Sequence, residues 1–251
     1  MSTVLENINI HDVLFLDIET VPGVNGYNKL SPQMKELWNH KAGFLKKSEE
    51  ETPELLYNRA GIYAEFGKII CIGVGFFNPN VKKKNPGLPA GREFRLTAFY
   101  GDDEKQLLQD FAALLNKHFN GPEHLLCAHN GKEFDFPFLA RRMLVNKIKI
   151  PFVLDVGGKK PWENTLLDTM QLWRFGDYKH YTSLTLLAAL FNIPTPKDDM
   201  QGSDVHRVYW QEKDLPRIAK YCCKDTLTVA QLYLSYRGED LLKDKEIVLV
   251  L

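Results

Sequence analysis

Net charge is the first thing missing from this sequence: across 251 residues, 32 Lys and Arg balance 32 Asp and Glu. A chain that coats nucleic acid by bulk electrostatics would be strongly basic, so that mode of binding is disfavoured, although a neutral total still permits a local basic groove beside an acidic centre. Cysteine is scarce. Cys71, Cys127, Cys222 and Cys223 contain no CxxC pair, and the last two are adjacent, which suits neither a disulfide framework nor a structural zinc site. Reduced, buried thiols in a reducing compartment are expected. Long apolar runs are also absent. The longest, Ile69 to Phe77, holds two glycines and is too short to cross a bilayer. The opening MSTVLENINIHD carries no basic stretch followed by an apolar one, so no secretory signal is expected and the protein reads as soluble and cytoplasmic. No internal repeat or low-complexity segment occurs. What remains, 44% hydrophobic and 25% charged residues, is ordinary globular composition, and no compositional break divides residues 1–251 into two domains.

Val13 to Leu16, running into Asp17-Ile18-Glu19-Thr20, reads as a buried strand. Residues 21–66 lack strand periodicity and read as an insertion. Within it, Ser31-Pro32 and Thr52-Pro53 each look like a cap followed by proline at the first helical position. Ile69 to Phe77 is a second strand, residues 78–92 a hairpin loop, and the alternation through Phe94 to Tyr100 a third strand. Gly101-Asp102-Asp103-Glu104 opens an amphipathic helix, Leu125 to Ala128 is a buried strand, and Phe136 to Val145 a helix. Thr165 to Trp173 is a fifth strand or a short helix. Helices follow near Leu184–Phe191 and from Asp214 to Tyr236. The pattern is that of an α/β fold, a mixed sheet flanked by helices.

Three groups of residues could carry chemistry. Asp17 and Glu19 lie two apart on a strand, so both carboxylates leave the same face. Two like charges held together need a cation or a proton, and hard divalent ions accept such ligands; a pair of exposed acids at a strand end is the plainer account. The second group is His129 to Leu139, which follows a strand and runs into a helix that begins close to Asp135. Taken alone, Asp135 is better explained as a helix cap and Asn130 as a turn residue. The third is Tyr221-Cys222-Cys223-Lys224-Asp225, where Tyr221 and Asp225, four apart on a helix, can converge on one point.

Order and spacing change that balance. D-x-E on the first strand, N-x3-F-D at a strand-to-helix junction and Y-x3-D on a late helix together resemble the three motifs of the DEDD superfamily of 3′–5′ exonucleases, in its tyrosine-type branch. The histidine-type branch would need histidine where Lys220 stands. The N-x3-F-D-x-P spacing from Asn130 to Pro137 is similar to that of the proofreading domains of B-family DNA polymerases. The resemblance covers residues 12–236, departs from the family at 21–66, and lacks a polymerase domain, so a freestanding nuclease of that type is expected. It implies a ribonuclease H-like fold with a mixed five-stranded sheet flanked by helices.

By the same resemblance, two divalent ions, Mg²⁺ or Mn²⁺, would be held by Asp17, Glu19, Asp135 and Asp225, and would activate water and stabilise the leaving oxygen. A phenol titrates near 10, so Tyr221 is assigned to orienting the attacking water rather than taking its proton. Ile18, Thr20, Asn130 and Phe134 would face the terminal nucleotide. The expected substrate is the 3′ end of single-stranded DNA, in repair or replication quality control. An exoribonuclease of the same fold is the alternative, and a non-catalytic nucleic-acid-binding module is the third. Two basic clusters are candidates for phosphate contact or for solvated faces: Arg141, Arg142, Lys147 and Lys149, and Lys82, Lys83, Lys84, Arg92 and Arg95. Asp168 is equally a support for the site or a helix cap, Lys197 a substrate contact or a turn residue, and His129 a packed or hydrogen-bonded residue at a strand end.

Overall fold

A computed structural model describes residues 3–79, 92–160, 163–194 and 200–251. In chain order its main elements are β1 (Val13–Pro22), α1 (Pro32–Leu45), β2 (Gly67–Phe77), β3 (Phe94–Tyr100), α2 (Glu104–His118), β4 (Leu125–Ala128), α3 (Asp135–Val145), β5 (Leu166–Asp168), α4 (Thr169–Arg174), α5 (Leu184–Leu190), α6 (Leu215–Arg237) and β6 (Ile247–Val250). They build one mixed sheet in the order β5-β4-β1-β2-β3-β6. β1 pairs antiparallel with β2 and parallel with β4. Helices cover both faces, which is why β1 can be apolar in consecutive positions rather than alternating.

The period of two in β1 decides what each face receives. Leu14, Leu16 and Ile18 enter a core shared with Leu108, Phe111 and Leu115 of α2 and Phe136, Leu139 and Met143 of α3. Val13 and Phe15 point the other way, into a core with Val229, Ala230, Tyr233 and Leu234 of α6. Asp17 and Glu19 continue that second series, so they face α6. Phe15 locks the helix down. Its ring meets those of Phe77, Phe94 and Tyr233 at centroid distances of 6.2, 6.0 and 5.4 Å.

α6 can come close to the sheet because Gly73 has no side chain. A Cβ there would stand 2.4 Å from Thr226 Oγ1 and 2.9 Å from the Cys222 carbonyl oxygen, both on α6. Gly73 is the partner of Asp17 across the β1–β2 ladder, and the register shifts just beyond, between Glu19 and Thr20. Bulges of this kind re-aim a strand, and this one directly follows the second acid.

The segment between β1 and β2 is helical, as the caps require. Ser31 Oγ accepts from the Met34 N–H and Thr52 Oγ1 from the Leu55 N–H, each with proline in the first turn. The segment has its own aromatic core, in which Trp38 is fully buried against Tyr57, Tyr63 and Phe66 and donates from Nε1 to the Pro53 carbonyl at 2.7 Å.

The sheet has six strands rather than the expected five. Ile247–Val250 pairs parallel with β3 along the sheet edge, and its residues are largely exposed, so the signature of a buried strand is missing from them. Thr165 to Trp173 contains both alternatives, the short strand β5 and then α4. Lys82, Lys83 and Lys84, with most of the expected hairpin loop, and Lys197 lie outside the described residues. No helix among the described residues is long and apolar enough to cross a membrane.

Candidate active site

β1 and α6 bring the first and third groups of acids together, and α3 adds the fourth. Carboxylate oxygens of Asp17 and Glu19 and the Cys222 sulfur all lie within 4.8 Å of one another. Asp135 Oδ1 accepts from the Ile18 N–H at 3.1 Å, between the two β1 acids. Tyr221 is hydrogen-bonded to Asp225 and lies within electrostatic reach of Glu19 and Asp17. Residues separated by more than 200 positions thus share one pocket.

The capping account of Asp135 fails. The cap of α3 is Phe134, whose side chain makes no capping hydrogen bond, while Asp135 is the first helical residue and turns its carboxylate toward β1. Asp168, by contrast, does cap a helix, α4. Asp168 Oδ1 accepts there from the Met170 and Gln171 N–H groups, and its two oxygens also receive the Asn130 and Lys132 N–H groups at 3.0 Å each. Both accounts of Asp168 therefore hold, since it caps α4 and fastens the loop leading to Asp135. Asn130 takes φ 60°, a left-handed conformation that asparagine tolerates, and its Oδ1 is buried without a hydrogen-bond partner.

The pocket is electrostatically unbalanced. Asp17 is held far above the usual carboxylate range, first by burial and then by Glu19, Asp225 and Asp135. Glu19 is raised likewise, by burial and by Asp225 and Asp135. Burial raises Asp135 to about 7 against the lowering effect of its own N–H and that of Ile18. Burial, then Asp225, pushes the Tyr221 phenol well above its ordinary value. Among the described residues no Lys or Arg forms an ion pair with Asp17, Glu19 or Asp135. Buried carboxylates in this state bind either protons or cations, and an all-oxygen acidic set fits a hard divalent ion. Cys222 is a poor ligand for such an ion, because hard divalent cations take oxygen donors rather than a soft thiol.

The remaining candidates are placed as follows. The Ile18 side chain is in the core and its N–H is taken by Asp135. Thr20 is half-buried just past the bulge. Phe134 packs on Phe138 with centroids 5.5 Å apart. The basic clusters divide. Arg142 pairs with Glu104 at 2.6 Å and donates to the Ala64 carbonyl, so it ties α3 to α2 and is no phosphate contact. Arg92 pairs with Glu246 at 3.3 Å and Arg95 with Glu93 at 2.8 Å. Arg141, Lys147 and Lys149 are exposed. His129 is hydrogen-bonded through both ring nitrogens, to Thr169 Oγ1 and the Thr182 carbonyl, at 2.9 Å each.

Cys222 was not singled out by the sequence, yet its Sγ donates to the Asp17 carbonyl oxygen at 3.3 Å and accepts from the Gly73 N–H at 3.1 Å. The available signal was Gly73 itself, since glycine inside a strand marks close backbone approach.

Residues 89–245 match the family described as a predicted 3′–5′ exonuclease related to the exonuclease domain of PolB. Among solved structures the chain is similar to the family B DNA polymerase from the hyperthermophilic archaeon Pyrobaculum calidifontis, at 14% identity and TM-score 0.49, over 89% of this chain and 24% of the polymerase. It is also similar to the RNase domain of the yeast Pop2 protein, at 11% identity and TM-score 0.44, over 94% of this chain and 79% of that one. For S. pombe Pop2p in a Mg²⁺- and Mn²⁺-bound form the values are 16% and 0.42, over 94% and 85%. The chain thus spans about a quarter of the length of the polymerase it matches.

Proposed function

The chain belongs to the family of predicted 3′–5′ exonucleases related to the exonuclease domain of PolB, and from that premise we propose that it removes nucleotides one at a time from the 3′ end of single-stranded DNA, releasing nucleoside 5′-monophosphates. The observation that carries the reading is the convergence of Asp17, Glu19, Asp135 and Asp225 on one pocket, with raised proton affinities and no ion-paired base on the first three.

In this reading Asp17, Glu19 and Asp225 would hold one divalent ion, and Asp17 with Asp135 would help hold a second. Two such ions, Mg²⁺ or Mn²⁺, would supply charge for the phosphate oxygens and lower the cost of ionising water. The chain's own residues do the positioning. Asp135 holds the Ile18 backbone and so sets the distance between the two β1 acids and α3. Tyr221, kept protonated by burial and by Asp225, offers its hydroxyl as a fixed hydrogen-bonding group for the attacking water and is unsuited to removing a proton. Asp168 holds the loop that presents Asn130, whose unpartnered Oδ1 is the side-chain acceptor we assign to the terminal nucleotide, alongside Thr20, Phe134 and the Ile18 backbone.

We assign the activity to a single domain with its motifs in residues 12–236 and the helical segment at 21–66 as an insertion. Four free, buried cysteines fit a reducing, cytoplasmic setting, with a role in DNA repair. The test is a gel of 5′-labelled single-stranded DNA and matching RNA with Mg²⁺, Mn²⁺ or EDTA. A ladder shortening from the 3′ end of DNA, dependent on metal and abolished in Asp17→Ala, is expected. Survival of every substrate with either metal would end the catalytic reading.

A further inference from the structure

Between α4 and α5 the chain carries three aromatic rings into solvent. Phe175, Tyr178 and Tyr181 are 87%, 71% and 65% exposed, an unusual concentration for side chains whose burial is worth so much. Both ends of this segment are fastened to the site. At one end Arg174 pairs with Glu133, two residues before Asp135, at 3.2 Å, and its guanidinium lies 5.7 Å from the Tyr178 ring. Phe175 and Gly176 then turn outward through φ 43° and 89°. At the other end the Thr182 carbonyl can only accept, so His129 Nε2 carries the proton it donates there at 2.9 Å. The His129 ring meets Tyr181 edge-on, with centroids 6.5 Å apart, and residue 130 begins the loop to Asp135. The Tyr181 hydroxyl also lies within electrostatic reach of Asp135, Asp17, Asp168 and Asp225, at the edge of the acidic pocket.

We propose that Tyr181, with Tyr178 and Phe175 beyond it, is the stacking platform for unpaired bases of the strand whose 3′ end enters the pocket. This rests on the exonuclease reading and adds how its substrate is gripped. Lysine or arginine close to the carboxylates would be drawn into them and neutralise the pocket, whereas a ring holds a base without adding charge. Every base has a π-face, so stacking tolerates any sequence, as an enzyme that shortens a strand step by step requires. The platform favours a strand whose bases are free over one locked in a duplex.

Two arms test this. In the kinetic arm, wild type, Tyr181→Ala and Tyr181→Phe act on a single-stranded oligonucleotide and on a nucleoside 5′-phosphate p-nitrophenyl ester, which has no further bases. Tyr181→Ala is expected to raise KM for the oligonucleotide roughly ten-fold, the scale of one lost aromatic–base stack, with a smaller change in kcat, and to narrow the preference for oligonucleotide over ester by the same factor. Tyr181→Phe, which keeps the ring, restores wild-type KM. An equal fall on both substrates, or failure of Tyr181→Phe to rescue, overturns the platform. In the binding arm, fluorescence anisotropy of a labelled single strand is read in EDTA, where Kd is expected to rise about ten-fold in Tyr181→Ala; an unchanged Kd overturns the proposal. If wild type cleaves neither substrate with Mg²⁺ or Mn²⁺, the exonuclease reading falls, while the binding arm still decides whether Tyr181 holds bases.

Discussion

The Cys222 thiol donates to the Asp17 backbone carbonyl at 3.3 Å and reaches the Asp17 carboxylate at 3.5 Å. The helix that carries Tyr221 and Asp225 is therefore bonded directly to the strand that carries Asp17 and Glu19, in a gap that Gly73 leaves open on the opposite strand. A thiol fits that gap and offers a donor toward the acids without adding a charge.

Cys222→Ala should therefore lower stability by about 1–2 kcal/mol, from a small cavity and lost hydrogen bonds at the Asp17 carbonyl and the Gly73 N–H. Gly73→Ala should do more damage, because its Cβ would force Thr226 and Cys222 away; overpacking of this kind costs about 1–3 kcal/mol. Urea unfolding measures both. Exonuclease rate should fall further in Gly73→Ala than in Cys222→Ala, and the reverse order would refute the account of how α6 is seated.

Metal and pH should act on the same groups. Asp135 titrates near 7 in the folded chain against an ordinary value of 3.8, and Asp17 and Glu19 are also raised. A raised folded value means that the native state holds protons the unfolded chain has lost, so stability declines as pH rises toward and through the folded value. In EDTA, Tm should be lower at pH 8 than at pH 6.5, and Mg²⁺ should raise Tm more at pH 8. His129, lowered by burial from 6.5, acts in the opposite sense: its contribution is lost as pH falls below 6.5, outside that window. A flat Tm between the two pH values in EDTA would show that the carboxylates are not linked to folding in this way.

Asp168 satisfies four backbone N–H groups and is 2% exposed. Asp168→Ala leaves all four without their acceptor in the interior, so a loss of about 3 kcal/mol or more is expected, with reduced exonuclease activity because the loop from Asn130 to Asp135 loses its anchor. Denaturant unfolding of Asp168→Ala beside Asp155→Ala, a loop acid, distinguishes this from a general charge effect.

Tyr221→Phe should reduce kcat by roughly 10- to 100-fold, the scale of losing one positioning contact on the reacting group, with KM little changed. The fall should be the same from pH 7 to 9, because the phenol is held protonated across that range. A pH-dependent ratio of wild-type to variant kcat would restore the tyrosine to proton transfer.

Much of the fold could be read because local pattern and tertiary role agree. The buried run before Asp17, the Ser31-Pro32 and Thr52-Pro53 helix starts and the alternation in Phe94–Tyr100 all form as their residues dictate. Ile247–Val250 escaped because an exposed edge strand lacks the burial signature. Within the site, Asp17 with Glu19 and Tyr221 with Asp225 are short-range spacings on one strand and one helix, and such spacings are legible. That Asp135 reaches Ile18 and that Cys222 reaches Asp17 are contacts across 117 and 205 positions; no local period encodes them, nor the placing of Tyr181 against His129.

The order in which the acids occur along the chain has a consequence for synthesis. Asp17 and Glu19 emerge from the ribosome first and Asp135 midway, whereas Asp225 comes on α6, the helix that also closes the second core over Phe15. A nascent chain, or one clipped before α6, lacks both the last acid and the apolar surface that holds the first two in place. On the proposed reading, activity would arise only when nearly all of residues 12–236 had been made, and a partly synthesised chain would be inactive.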